Sequence, residues 1–189
     1  MRGDGRLPLR RQKRQHRRPV AQASQRHSPL ASSAGRLFDA CAAILGTCFE
    51  LQSYEGQTGM ELEVLANPFI EEAEAWALPP DNGSIIRWRG LWEALLRDMA
   101  AEVEIGLIAA RFHRTLIAVV SRTTRRLARE NEVNTIALSG GVFQNRLMLE
   151  GVFSELSAAG FEVLAHTEVP ANDGGLALGQ AMIGLAALG

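Results

Sequence analysis

The stretch TIALSGGVFQNRLMLEGVFSELSAAGFEVL, residues 135–164, decides the fold class. Thr135-Ile136-Ala137-Leu138 is a short apolar run and predicts a buried strand. Ser139-Gly140-Gly141 follows as a tight glycine turn. Leu149, Val152, Phe153 and Leu156 recur at i, i+3, i+4 and i+7, which predicts a helix over about 145–159. Gly160 is placed to end that helix, and Phe161-Glu162-Val163-Leu164 reads as a second strand. Strand, helix and strand in that order make a βαβ unit, whose strands run parallel. The expected class is α/β, helix-rich with a small sheet.

On the C-terminal side, a loop through Pro170 leads to Asp173, which opens a final helix rich in Gly and Ala. On the N-terminal side, two longer helices are expected near 90–105 and 107–130. The second ends on Arg125, Arg126 and Arg129, cations that suit a helix C-terminus. Ile85-Ile86-Arg87-Trp88 reads as a short strand after the turn residues Pro79-Pro80-Asp81-Asn82-Gly83. Met60 to Ala66 is a short helix stopped by Asn67-Pro68. Arg36 to Cys48 carries a helical stripe of Leu37, Cys41, Ile44, Leu45 and Cys48, with Asp39 about 200° round from Leu37 and off the stripe. Two turns of helix separate Cys41 from Cys48 by about 10 Å, too far for a disulfide, so both read as small apolar core residues.

Charge is distributed in blocks. Residues 1–30 hold eight arginines and one lysine against a single acid, Asp4, a net +8; 11 basic and 20 acidic residues leave −9 for the remainder. The segment 1–30 has no apolar period and is expected to be a disordered Arg-rich tail ahead of one folded domain, 31–189. The acidic body argues against nucleic-acid binding, and the tail lacks aromatic residues to stack on bases. No apolar run approaches the roughly 20 residues of a membrane span, and no apolar h-region follows the basic start. The expectation is a cytoplasmic protein with no membrane and no nucleic-acid partner.

Three places could carry chemistry. Ser139-Gly140-Gly141-Val142-Phe143-Gln144-Asn145 joins a strand to a helix start, a plausible phosphate or nucleotide cradle: glycine admits close backbone approach and a helix N-terminus offers unpaired N–H groups. The blander alternative is a βα turn that merely needs glycine. Asp173, in Pro170-Ala171-Asn172-Asp173-Gly174-Gly175, is either a helix N-cap or a carboxylate for a divalent or iron-type cation, and both readings stay open. Asp39, in Gly35-Arg36-Leu37-Phe38-Asp39, is a carboxylate facing away from the core. It is a solvated surface acid or a partner for a ribose hydroxyl; Glu55 is equally ambiguous. His113 beside Phe112 is expected to be partly buried and hydrogen-bonded, and His166 has no partner in sequence. No His pair at i, i+4 exists. No residue earns a catalytic role from sequence.

These runs, together with Ser53-Tyr54-Glu55-Gly56-Gln57, Met60-Glu61-Leu62-Glu63, Arg111-Phe112-His113 and Asn172 to Gln180, resemble the C-terminal part of the HypF-type hydrogenase-maturation carbamoyltransferases, over roughly residues 31–189. Residues 1–30 are expected to lie outside the family. The resemblance implies the second half of an actin-like ATPase (ASKHA) type domain related to the tRNA threonylcarbamoyl-transferases. It implies ATP and carbamoyl phosphate as substrates, carbamoyl-adenylate as the intermediate, and transfer of the carbamoyl group to the C-terminal cysteine of the partner HypE. Complete family members also carry an acylphosphatase-like domain, a zinc-finger-like segment and an adenylate-forming domain. By the same resemblance Gly140, Gly141 and Asn145 line the nucleotide, Gly35 and Asp39 face its ribose with Glu55 near, and Asp173 ligates a metal. The family's histidine metal ligands lie upstream of what this chain matches, so the implied metal site is incomplete and the chain alone is expected to be inactive. The alternative is a non-catalytic nucleotide-binding or scaffold piece of the same system.

Overall fold

A computed structural model describes residues 31–48, 52–79 and 85–188. The expected tail, and most of the turn at Pro79 to Gly83, lie outside the described residues. The elements run α1 (Ala34–Leu45), α2 (Gln57–Ala66), α3 (Arg89–Ala100), α4 (Ile105–Glu130), β1 (Thr135–Leu138), α5 (Arg146–Ala158), β2 (Glu162–Ala165) and α6 (Leu176–Leu188). The α/β class and the small parallel sheet stand as expected: Thr135 pairs with Glu162 and Leu138 with Ala165 in a two-stranded parallel ladder.

The core belongs to the helices. α4 is its axis and packs against α2, α3 and α5. Ile108, Phe112, Leu116 and Ile117 on α4 are buried beside Leu62 of α2, Leu91 and Leu95 of α3, and Val152 and Leu156 of α5. Residues 70–79 cross α4 without regular structure. Side chains hold them there: the Trp76 indole N–H donates to Asp98 at 2.9 Å, Arg111 pairs with the same carboxylate at 2.7 Å, and Thr115 Oγ1 accepts from the Trp76 amide at 2.9 Å.

Several expectations need correction. α1 ends at Leu45, because Gly46 takes φ +83 and caps it, so Cys48 sits beyond the helix, half-buried, with its thiol bonded to Glu61. Cys41 is buried as expected, and burial pushes its thiol up to about 12. Phe38, left off the sequence stripe, is more buried than Leu37. Residues 85–88 form no strand; they lead directly into α3, and Trp88 packs on the core. α5 does end at Gly160, in a Schellman arrangement: the Phe161 amide donates to Leu156 and the Gly160 amide to Ser157.

β1 was expected to be buried, yet only Leu138 is; Thr135 and Ala137 are exposed, and β2 buries nothing fully. α5 covers one face of the sheet and the other face is open. α6 carries one polar side chain, Gln180, among apolar and small residues and has no buried residue, with Ile183 at 73% exposure and Leu188 at 88%. Parallel sheets are ordinarily covered on both faces, and a helix that is apolar all round is ordinarily buried. Neither the open sheet face nor α6 is covered by another described element. Among the described residues no helix is long and apolar enough to cross a membrane.

Candidate functional site

In parallel α/β sheets ligands bind beyond the carboxyl ends of the strands. Here that edge carries the two most distinctive motifs of the sequence. Ser139-Gly140-Gly141 leaves β1, and the loop 166–175 leaves β2. A main-chain bond ties them, the Gly140 amide donating to Ala171 O at 2.8 Å.

Gly140 has φ +100 and ψ 158, a conformation open essentially to glycine alone. A Cβ there would meet nothing within 4 Å, so the requirement is conformational and not one of space. Gly141 to Gln144 then form a single 3-10 turn ahead of α5. Gly175 is the opposite case: its Cβ would lie 2.9 Å from Val169 and 3.0 Å from the Pro170 carbonyl, so close packing demands glycine.

The end of this loop corrects the reading of Asp173. The cap is Asn172, whose Oδ1 accepts from the Gly174 amide at 3.0 Å, and Asp173 to Gly175 form a 3-10 turn before α6 begins. Asp173 is therefore not the N-cap, and it is exposed. Among the described residues no group of three or more His, Cys, Asp or Glu side chains is placed to hold a metal ion. One carboxylate is too small a donor set for any of the implied cations, so the residues present do not by themselves fit a metal.

The helix start was expected to offer free amides, and here too the structure differs. The Arg146 amide donates to Glu63 Oε2 at 2.9 Å, and the Met148 amide donates to Asn145 Oδ1 at 3.0 Å. Two of the first amides of α5 are thus taken by the protein's own side chains. Asn145 itself is 8% exposed: its Nδ2 reaches Gly59 O at 3.3 Å and faces His113 Nε2 at 3.1 Å. The carboxamide lies beneath the turn, not on its rim.

Asp39 is not a solvated acid opposite the core. Its carboxylate accepts from Thr58 Oγ1 at 2.6 Å, Gln52 at 3.1 Å and Arg36 at 3.0 Å, and so braces α1 on α2. α1 also touches the 3-10 turn of residues 141–144, which sets Gly35 and Asp39 on an element bordering the glycine turn. Gly35 is exposed, as is Glu55, in the turn before α2.

Sequence reasoning missed His166. Its Nε2 lies 3.1 Å from Ser139 Oγ, across the carboxyl edge from one strand end to the other. Together with Phe143, Gln144, Glu168 and Pro170 it lines a half-open depression of about 240 Å³. No spacing rule could have paired these residues, because the parallel register alone brings their strand ends together.

Comparison with known proteins identifies the family. The family described as "Carbamoyltransferase, Kae1-like Domain, second subdomain" matches residues 4–180. That match reaches into the basic N-terminal segment, which the motif-by-motif resemblance had left outside the family. The carbamoyltransferase HypF of Rhodobacter capsulatus is 40% identical over 164 residues, covering 86% of this chain and 21% of that protein. The HypF of a Synechocystis species is 34% identical, over 81% of this chain and 19% of that protein. A crystal structure of full-length HypF in a phosphate- and nucleotide-bound form superposes with a TM-score of 0.72 at 36% identity, over 82% of this chain and 20% of that one. The chain thus spans about a fifth of the length of the relatives it matches. In sequence and in fold it belongs to the HypF carbamoyltransferase family and matches that family's C-terminal region.

Proposed function

We propose that the chain serves as the nucleotide-facing second half of a carbamoyltransferase domain that moves a carbamoyl group from carbamoyl-adenylate, made from carbamoyl phosphate and ATP, to the C-terminal cysteine of HypE. The supporting observation is the joined edge at which Gly140 is bonded to Ala171, bringing the Ser139–Gly141 turn and the 171–175 loop to one place. Backbone amides at such a turn suit the phosphate of an adenylate, and the Gly140 conformation holds them without a side chain in the way. In the transfer the cysteine sulfur bonds to the carbamoyl carbon, the bond from that carbon to the phosphate oxygen breaks, and AMP leaves. Asp39, already bonded to Thr58, keeps a fixed carboxylate on the element beside the turn and is the proposed ribose contact, with Gly35 and Glu55 near it. Gly140 and Gly141 contribute backbone to the nucleotide; residue 145 contributes only through the turn it anchors.

The open sheet face and α6 are the proposed seam for the rest of the domain, which also supplies the ligands a metal would need beside Asp173. The chain alone is then inactive. Joined to the upstream region of the Rhodobacter relative, in place of that protein's own matching segment, it is expected to transfer carbamoyl groups to the partner cysteine and to bind metal. Asp173→Asn in the joined protein, which keeps the side chain's size but not its charge, is expected to lose both. Transfer by the isolated chain, or full metal content and transfer in Asp173→Asn, contradicts this reading.

A further inference from the structure

Three elements converge beneath the glycine turn, and a histidine lies where they meet. His113, on α4, is fully buried. Its Nδ1 lies 2.8 Å from Ala109 O; a carbonyl only accepts, so Nδ1 carries the proton and Nε2 is left as an acceptor. The donor facing Nε2 is Asn145 Nδ2 at 3.1 Å, which also reaches Gly59 O on α2 at 3.3 Å. The other end of the same carboxamide caps α5 through the Met148 amide. The neutral tautomer of His113 thereby fixes which way the Asn145 amide points, because a flipped amide would set oxygen against the imidazole lone pair and against Gly59 O. The ring cannot turn away, since it packs edge-on against Phe38 and Phe112 at centroid distances of 5.4 and 5.9 Å.

We propose that His113 is a positioning residue for the glycine turn: from inside α4 it holds the Asn145 carboxamide, and through Asn145 it sets the conformation of Gly140 to Gln144. The chain of contacts is continuous. The Asn145 amide donates to Val142 O at 3.2 Å, the Phe143 amide donates to Gly140 O at 3.1 Å, and the Gly140 amide donates to the loop after β2. Glu63 of α2, bonded to the Arg146 amide, fixes the adjoining residue from the same side. His113 has no exposed atom with which to touch a ligand, so any effect on binding must pass through the turn. That this turn contacts a nucleotide rests on the function proposed above; that His113 orders the turn does not.

Amide hydrogen exchange on the full chain separates the two. His113→Phe keeps a flat ring among Phe38 and Phe112 and removes both hydrogen bonds. The amides of Gly140, Phe143 and Asn145 are expected to exchange about tenfold faster or more, the factor for one lost net hydrogen bond. Those of α3 should hold their native rates. Asn145→Ser guards against a variant that does not fold: serine still caps α5 but does not reach His113, and the same acceleration is expected with α5 intact. Nitrogen-15 shifts of the native imidazole are expected to show Nδ1 protonated and Nε2 bare at neutral pH. An Nε2-protonated ring, or native exchange rates across Gly140 to Asn145 in both variants, overturns the proposal. Titration with ADP reads the ligand separately. Weaker binding in both variants than in the native chain supports transmission through the turn, and equal binding refutes it. A native chain that binds no ADP counts against the nucleotide reading alone, and the exchange rates then decide the role of His113.

Discussion

Phe112→Ala is expected to cost about 3–5 kcal/mol of stability, the range for removing a fully buried aromatic ring from a packed core. Phe112 is 0% exposed, meets Phe38 edge-to-face at a centroid distance of 5.2 Å, and lies at right angles to the His113 ring. It sits on α4, the helix against which α2, α3 and α5 all pack. Single domains are stable by only about 5–15 kcal/mol, so the loss removes a large share of the whole. Urea unfolding checks it: the midpoint should fall steeply with the slope unchanged. Phe153→Ala on α5, where the ring is 40% exposed, should cost far less. Similar losses at the two positions would show that α4 is not the axis of the core.

Acid should destabilise the protein through His113. Burial lowers its pKa from 6.5 to about 4, partly offset by the bond to Ala109. The unfolded chain therefore takes up a proton on this residue at a higher pH than the folded chain does. The contribution to stability is whole above pH 6.5, falls as pH drops through the interval to about 4, and is flat below that. A gap of this size corresponds to about 3 kcal/mol. The charged groups on elements packed round the ring are engaged elsewhere: Asp39 of α1 with Thr58, Glu63 of α2 with the Arg146 amide, Arg111 of α4 with Asp98, and Arg114 of α4 with Ile70 O. None is a cause of the shift, so the step belongs to desolvation. Stability measured against pH in the native chain and in His113→Phe should differ in slope between pH 6.5 and 4 and run parallel outside it. Parallel curves throughout would mean that the ring is hydrated.

The βαβ unit was legible because its signals are local. A helical period from Leu149 to Leu156, a glycine at 160 and two short apolar runs are each read within a few residues; α5 and β1 lie where the pattern put them, and β2 lies one residue later, at Glu162–Ala165. The glycine turn and the Asn-Asp-Gly-Gly loop were legible as motifs for the same reason. What sequence could not show was which partner each polar side chain finds. Asp39 falls off the apolar stripe of α1, which suggested solvent, yet α2 brings Thr58 against it. Asp173 looked like a cap because a helix follows, whereas Asn172 one residue earlier has the extended backbone a cap requires. Asn145 matched a nucleotide motif, but its carboxamide is turned inward by a histidine 32 residues away in sequence. The strands read as buried because apolar runs normally are. Only the structure shows that, among the described residues, no element covers one face of the sheet.

That open face carries the central claim, that this chain is one half of a domain whose site is completed by the other. Amide exchange in α6, residues 176–188, tests it most directly. The helix has no buried residue and no charged side chain, and exposes Leu176, Met182, Ile183 and Leu185 together. In the isolated chain its amides should exchange close to the rate of an unprotected helix. In the chain joined to the upstream region of the Rhodobacter relative they should slow by orders of magnitude, and those of β1 should slow with them. If α6 is already protected in the isolated chain, or stays as fast in the joined protein, the seam is misplaced and the half-domain account fails.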